Sequence, residues 1–191
     1  MKSILLIILF TIIILIILYY VLIGNIDKSE PKIIFLDNPI QFVGLNIETS
    51  DKDIYKDVKR VTTEFNTIKK KNPIPFKKEP WTFVAVSKDY DREKRTFNYI
   101  VGDVVTKIDS VPDGLQPYKI PESTYAVFSI RPKSKIAWGI TMGRMKRFIY
   151  TEWLPDSGYK PSKIIGDFEL HDDRSLGKNP EINLYVGIQE K

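Results

Sequence analysis

The sequence contains no cysteine and one histidine, His171. Without cysteine there is no disulfide to indicate an oxidising compartment and no thiol to indicate a reducing one. With a single imidazole, a zinc site would have to draw nearly all of its ligands from carboxylates. Neither a phosphate-binding glycine loop nor a Ser-His-Asp order can be assembled from the other residues. We therefore expect no metal and no cofactor.

Charge is absent from residues 4–23, where Thr11 is the most polar side chain apart from Tyr19 and Tyr20. An α-helix of this length spans roughly 30 Å, the hydrocarbon thickness of a bilayer. A cleaved signal peptide has a shorter apolar core that is followed by small residues at the cut site, and this segment has neither feature. We therefore predict an uncleaved, single-pass anchor over residues 1–24.

Few basic residues flank this segment. Lys2 precedes it, and Lys28 and Lys32 follow it beside two acids. The orientation of a membrane helix follows the excess of Lys and Arg on its cytoplasmic side, so this near balance gives little guidance. A single anchor before a long polar domain often leaves that domain outside the cytoplasm, and we place it there.

Positive charge is in modest excess over the whole chain, with 29 Lys and Arg against 24 Asp and Glu. Two lysine clusters, residues 69–71 and 77–78, carry much of this excess and could contact anionic lipid or nucleic acid. Such clusters are more often a solvated helix end and loop. No helix-turn-helix, zinc-knuckle or aromatic RNA-binding motif accompanies them, and we expect no nucleic-acid partner.

After the anchor, residues 25–38 are mostly polar and contain Pro31, which predicts a linker. From residue 39 the patterns predict the order strand, helix, strand, strand twice over. The first set has a strand from Ile40, a helix with the stripe Ile54, Val58, Val61, Phe65 and Ile68, and strands 81–87 and 96–105. The second has strand 124–131, a helix with the stripe Trp138, Met142, Met145, Ile149 and Trp153, and strands 164–170 and 182–188.

Such a duplication predicts an α+β domain over residues 39–191, with two helices on one face of an antiparallel sheet and a concave groove on the other. In the last strand Leu184 would face the helices, so Tyr185 would face the groove. We expect Glu169 and His171 to share that groove face. A concave face lined by aromatic side chains and a carboxylate is typical of a small-molecule site.

Five short motifs follow one another over about residues 40–190. They are Phe97-x-Tyr99-x-Val101-Gly102, Ile120-Pro121 with Tyr125-Ala126-Val127-Phe128, Trp153-Leu154-Pro155 with Ser157-Gly158-Tyr159, Phe168-Glu169, and Leu184-Tyr185-Val186-Gly187-Ile188. In this order and spacing they resemble the GyrI-like family, also called AraC-type effector-binding domains. The fold of that family, a duplicated strand-helix-strand-strand unit, agrees with the pattern above.

The resemblance implies binding of small, often cationic or lipophilic molecules in a central groove that contains the acid of the Phe-Glu motif, here Glu169. Some relatives are fused to DNA-binding regulator domains, one group binds DNA gyrase, and some resemble hydrolases that use a groove Glu and Tyr. This chain departs from the family pattern at His171, where the family usually has Tyr. We also expect a membrane anchor where those relatives have a DNA-binding domain.

Three functions stay open for Glu169. In a ligand-binding module it would match an organic cation held among aromatic rings. In a hydrolase it would act as general base beside an acidic tyrosine, and burial would have to raise its pKa towards neutral. In a protein-interaction module of the gyrase-inhibitor type the groove would be incidental. We favour the ligand-binding module over an enzyme, with a small molecule as partner and a monomeric domain.

The candidate ligand-binding residues are this carboxylate and the ring-bearing side chains expected near it, namely Glu169, Tyr185, Tyr125, Tyr150, His171, Trp138 and Trp153. Trp138 and Trp153 lie on the apolar helical stripe, where a core position competes with a place in the ligand wall. Tyr185 is the strongest aromatic candidate, because alternation turns it away from the helices. The hydroxyl of Tyr150 would reach the groove from the end of the helix.

Overall fold

The computed structural model describes residues 2–134 and 137–191. The helices are α1 (Lys2–Leu22), α2 (Ile54–Lys71), α3 (Trp138–Phe148), α4 (Leu154–Asp156) and α5 (Asp173–Leu176), and a π-helical segment (Ile149–Trp153) joins α3 to α4. The strands are β1 (Lys32–Leu36), β2 (Ile40–Ser50), β3 (Phe83–Asp91), β4 (Thr96–Val104), β5 (Gln116–Ile120), β6 (Ser123–Ile130), β7 (Tyr159–Pro161), β8 (Asp167–His171) and β9 (Ile182–Glu190).

The described strands form one antiparallel sheet of nine strands in the order β1-β6-β9-β8-β3-β4-β2-β5, with β7 paired to β9. This order is symmetric about the β8–β3 pair, because β6-β9-β8 on one side corresponds to β2-β4-β3 on the other. Each side and its helix form one unit, β2-α2-β3-β4 or β6-α3-β8-β9. The predicted α+β fold with a duplicated strand-helix-strand-strand unit is therefore confirmed.

The two outermost strands of the sheet are exchanged between the units. β1 precedes the first unit along the chain but pairs with β6 of the second, and β5 precedes the second but pairs with β2 of the first. β1 lies inside residues 25–38, the segment predicted as a linker. Its side chains Ile34 and Leu36 pack against a buried core, so this part of the segment belongs to the sheet.

The two long helices after α1 cover the same face of the sheet, each over its own unit. Beneath α2 lie Ala85, Tyr99 and Val101, together with the buried helical residues Val61 and Phe65. Beneath α3 and the π-helical segment lies a second core, formed by Ala126, Phe128, Ile130, Ile182, Leu184, Val186 and Ile188. The amphipathic stripes predicted for both helices therefore face the sheet.

The opposite face of the sheet is filled by its own side chains. They are Phe42, Val84, Val86, Ile100, Val104, Ile120, Tyr125, Ile165 and Phe168. Residues from the outer strands, such as Ile34 and Ile120, complete this cluster, because a twisted sheet brings its two edges towards each other. This part of the face, predicted as a concave groove, is a packed core.

α1 exposes its apolar side chains along its whole length. Its stretch Ile4–Leu22 has a mean hydropathy of 3.3 and no buried residue. Within the described part of the chain it is the one helix long and apolar enough to cross a membrane, a test that an N-terminal signal sequence also passes. The chain after α1 lies along the second unit, where Arg144 donates to the Gly24 carbonyl at 2.7 Å and Trp153 donates to Glu30 at 3.0 Å.

Candidate functional site

Glu169 lies on the sheet face that α2 and α3 cover. In the antiparallel ladder it opposes Leu184 on β9 and Ala85 on β3. Directly opposed residues project to the same face of a sheet. Leu184 packs in the core under α3 and Ala85 in the core under α2. Glu169, which is 7% exposed, therefore lies at the boundary between the two helices.

Tyr185 lies on the other face of the sheet. It opposes Phe168, and the two rings stack with centroids 4.5 Å apart and an interplanar angle of 11°. The prediction that Tyr185 shares a face with Glu169 and His171 is therefore wrong. Alternation assigns faces within one strand, whereas the matching of faces between β8 and β9 depends on their register, which no local pattern reveals.

Four charged or titratable side chains meet in a cluster on the helix-covered face, which we call the acid cluster: Asp167, Glu169, His171 and Lys146. The Nζ of Lys146 lies 2.7 Å from Asp167 Oδ1 and 3.9 Å from Glu169 Oε1. The Nε2 of His171 lies 3.2 Å from Glu169 Oε2. Asp167, Glu169 and His171 are every second residue of β8 and therefore share one face of the sheet. Lys146 reaches them from α3.

The oppositely charged groups in this cluster favour one another's charged forms. Burial is the largest influence on the pKa of Glu169 and raises it, but the hydrogen bond with His171 and the charges of Lys146 and His171 together lower it below its usual value. Burial likewise acts to lower the pKa of Lys146, but the charges of Asp167 and Glu169 raise it above its usual value. Glu169 and Lys146 are therefore both charged at neutral pH.

Aromatic side chains surround the acid cluster. The ring of Trp138 stacks on that of His171, with centroids 5.5 Å apart and an interplanar angle of 11°. Phe83 packs against the same imidazole in a T-shaped arrangement, with centroids 5.6 Å apart. Tyr150 donates its hydroxyl to Asp167 Oδ2 at 3.1 Å, and burial together with the charge of Asp167 raises its pKa far above the usual value. Tyr150 is therefore a hydrogen-bond donor at neutral pH.

α2 and α3 approach each other where Tyr55 of α2 packs against two glycines of α3. A Cβ at Gly139 would lie 3.0 Å from the ring of Tyr55 on α2, and a Cβ at Gly143 would lie 2.8 Å from its hydroxyl oxygen. Gly139, Gly143, Lys146 and Tyr150 recur at helical spacing and so fall on one stripe of α3 and its π-helical extension. Tyr55, which is 63% exposed, thus lies across the stripe that carries Lys146.

The two other sequence candidates lie apart from the acid cluster. Tyr125 is fully buried in the core of the opposite face, where it donates to the Pro121 carbonyl at 2.8 Å, and burial raises its pKa to about 12. Trp153 packs edge-on against Phe128 in the core under α3, with centroids 5.2 Å apart. Of the predicted residues, the structure therefore brings together Glu169, His171, Tyr150 and Trp138.

Sequence reasoning missed Asp167, Lys146 and Tyr99. Period-two alternation already puts Asp167 on the face of Glu169. Lys146 precedes Tyr150 by one helical turn and so shares its side of the helix. Tyr99 is 6% exposed, and burial, followed by the charges of Glu169 and Asp167, raises its pKa. Matching Gly102 with Gly187 in the repeat would have placed Tyr99 on the helix-covered face, as the counterpart of Leu184.

The fold is shared with solved structures of other proteins. An integron cassette protein of Vibrio cholerae is 12% identical, with a TM-score of 0.59 over 86% of this chain and 99% of that one. SAV2435, solved with bound tetraphenylphosphonium, is 13% identical, with a TM-score of 0.58 over 84% of this chain and 94% of that one. At such low identities the likeness concerns the fold alone.

A sequence relative is the transcriptional regulator BrlR of Pseudomonas aeruginosa, 28% identical over 95 residues. The matched part is 48% of this chain and 33% of the regulator, so the chain covers about a third of that relative's length.

Residues 34–188 match the family described as Cass2, integron-associated effector binding protein. This range contains both strand-helix-strand-strand units and every residue of the acid cluster. The chain therefore belongs to the Cass2 family of integron-associated effector-binding proteins.

Proposed function

We propose that this effector-binding protein takes a small organic cation between α2 and α3, against the carboxylates of Asp167 and Glu169. The observation that carries the proposal is two carboxylates on a buried sheet face that share one ammonium group, Lys146. Buried carboxylates are costly without a cation beside them, and an organic cation can take the place that Lys146 holds between these two acids.

The surroundings of the acid cluster suit an organic cation rather than a metal ion. The half-buried ring of Trp138 lies next to His171 and leaves part of its surface open to a ligand. Aromatic faces attract cations, and this attraction grows where water is excluded. The carboxylates would supply the charge and the rings the apolar contact area.

Tyr55 marks the entrance between the helices. Its ring lies across Gly139 and Gly143 but is mostly exposed, so it can rotate away without uncovering the core. A ligand that moves this ring would reach the side of α3 that carries Lys146.

The fold of SAV2435, whose structure contains tetraphenylphosphonium, supports this choice of ligand class. That ion is a lipophilic cation, and the family description names effector binding. Because one relative is a transcriptional regulator, the expectation of no nucleic-acid partner stays a prediction.

The hydrolase alternative has less support. A general base works best with a pKa near the operating pH. Hydrogen bonding and neighbouring charges instead lower the pKa of Glu169, which makes it a weak base and a stable anion. These properties favour holding a cation over abstracting a proton.

We further propose that α1 is an uncleaved anchor and that the effector-binding domain lies outside the cytoplasm. The length and hydropathy of Ile4–Leu22 and the absence of small residues at a cut site support the anchor.

Two experiments test this proposal. The intact mass of the membrane-extracted protein should include residues 1–24, and protease added to spheroplasts should digest the domain. A mass that lacks this segment would show a signal sequence, and protection from protease would reverse the orientation.

Two ions of one shape and opposite charge test the ligand class. The full chain in detergent micelles would be titrated calorimetrically with tetraphenylphosphonium and with the anion tetraphenylborate, and the heats from empty micelles subtracted. The proposal predicts saturable binding of the cation alone. Equal binding of both ions, or of neither, would contradict it.

A further inference from the structure

The ammonium group of Lys146 lies at the point where the charge of a cationic ligand would be most stable. It is within 4 Å of one oxygen of Asp167 and one of Glu169, and it also donates to Ser87 Oγ at 3.3 Å. A second cation between these carboxylates would meet a like charge at close range, in surroundings that screen poorly. Ligand and lysine therefore compete for one place.

Lys146 is the member of the acid cluster that is free to leave. Its side chain is 25% exposed, whereas those of Asp167 and Glu169 are 9% exposed. A lysine ammonium is strongly hydrated and sits on a flexible four-carbon stem, so it moves into water at little cost. The two acids are attached to β8, a central strand of the sheet, and have to stay where they are.

We propose that Lys146 is a built-in competitor, which occupies the cation subsite of the empty protein and must swing out before a cationic effector binds. This inference rests on the proposed function and adds to it the residue that sets the affinity. In the empty protein Lys146 serves as counterion for the buried acids, which stabilises the fold without ligand. Binding then exchanges one cation for another and leaves the charge of the site unchanged.

Lys146→Met removes the competitor and keeps most of the apolar stem. We expect this variant of the full chain, in micelles, to bind tetraphenylphosphonium roughly tenfold or more tightly than the wild type, which is a gain of about 1.4 kcal/mol. Lys146→Arg keeps a cation in the subsite and should leave the affinity near that of the wild type. Arg147→Met removes the same charge from the exposed side of α3, one residue further on, and is the matched control for net charge.

A double variant, Lys146→Met with Asp167→Asn, separates the effect of competition from the effect of net charge. It also limits the loss of stability that Lys146→Met causes. Lys146→Met leaves two buried acids without their counterion, which lowers stability. Adding Asp167→Asn restores the net charge of the wild-type cluster and keeps an acceptor for the Tyr150 hydroxyl. If competition governs the affinity, this double variant still binds the cation more tightly than the wild type, because Glu169 no longer faces a lysine.

The outcomes separate the role of Lys146 from the function itself. Tighter binding by Lys146→Met and by the double variant, with Arg147→Met unchanged, supports the inference. Binding by the wild type with equal or weaker affinity in the folded variants would overturn the role of Lys146 and leave the proposed function intact. If neither the wild type nor any folded variant binds, the proposed function fails and this inference fails with it.

Discussion

Glu169 and His171 stand two residues apart on β8 and hold their side chains together, with 3.2 Å between Oε2 and Nε2. Burial alone would raise the pKa of Glu169, but this contact and the charge of Lys146 lower it in the folded protein. In the unfolded chain the same carboxyl group titrates near its ordinary value of 4.5. As the pH falls, the unfolded state therefore takes up this proton before the folded state does, which favours unfolding.

We predict that the stability contributed by Glu169 is complete above pH 4.5 and is lost as the pH falls through its lower folded-state pKa. Glu169→Gln cannot titrate, so its free energy of unfolding should decline less steeply in this range. Urea unfolding of both proteins at about pH 6, about pH 4.5 and about pH 3.5 measures the two slopes. Parallel slopes would show that the pKa of Glu169 is the same in both states.

A second prediction concerns the close approach of β2 and β4, where Gly44 opposes Gly102. A Cβ at Gly102 would lie 2.6 Å from the Val43 carbonyl oxygen and 2.7 Å from a ring carbon of Phe42. Because backbone would have to move, Gly102→Ala should destabilise the protein by about 1–3 kcal/mol.

Gly158→Ala is the control for this substitution, because no atom lies within 4 Å of a Cβ built at Gly158. Its free energy of unfolding should stay within about 0.5 kcal/mol of the wild type. Equal melting temperatures for the two alanine variants would contradict the close approach of the strands.

The repeat could be predicted from the sequence because its signals are local. The helical stripes that contain Phe65 and Met145 and the alternation of Phe168 with Glu169 all arise within a few residues. The structure confirms both stripes and the alternation within β8. These patterns were sufficient for the elements of the two repeated units and for their order, but they did not predict β1, β5 or β7.

The site was only partly predictable because it depends on pairing between distant segments. The register that sets Phe168 against Tyr185 decides which face of β8 meets α3, and a shift of one residue would have put Glu169 beside Tyr185. The meeting of Lys146 with Asp167 likewise depends on how α3 crosses the sheet. Neither relationship leaves a local signal.

A third prediction tests whether residues 32–36 stabilise the sheet as strand β1 or act only as part of the linker expected over residues 25–38. A chain that starts at residue 25 keeps all five residue pairs between β1 and β6, and one that starts at residue 39 loses them. Since Ile34 and Leu36 would leave their core contacts, we expect the shorter chain to be less stable by about 3 kcal/mol or more.

Circular dichroism melting and size-exclusion chromatography with light scattering would compare the two chains. The chain from residue 25 should be a folded, soluble monomer. Equal melting temperatures would show that residues 32–36 act only as a tether. Aggregation of the longer chain would show that α1 is needed for folding.

The central claim is that Glu169 holds the charge of a cationic effector, and Glu169→Gln tests it because the substitution keeps volume and removes charge. We predict that its affinity for tetraphenylphosphonium falls by about 1.5–3 kcal/mol, the scale of a charge-assisted contact in a partly desolvated site. At neutral pH the melting temperature should fall only by the small contribution that the lowered pKa of Glu169 makes, because Lys146 keeps Asp167 as its partner at 2.7 Å.

Glu64→Gln, the same substitution at an exposed position of α2, is the matched control and should alter neither quantity. The most direct measurement is therefore the dissociation constant of tetraphenylphosphonium for the wild type, Glu169→Gln and Glu64→Gln, taken together with their melting temperatures. We predict weaker binding in Glu169→Gln alone, with a melting temperature only slightly below those of the other two proteins. Unchanged affinity in Glu169→Gln would contradict this claim, because Glu169 would then be only a structural ion-pair partner.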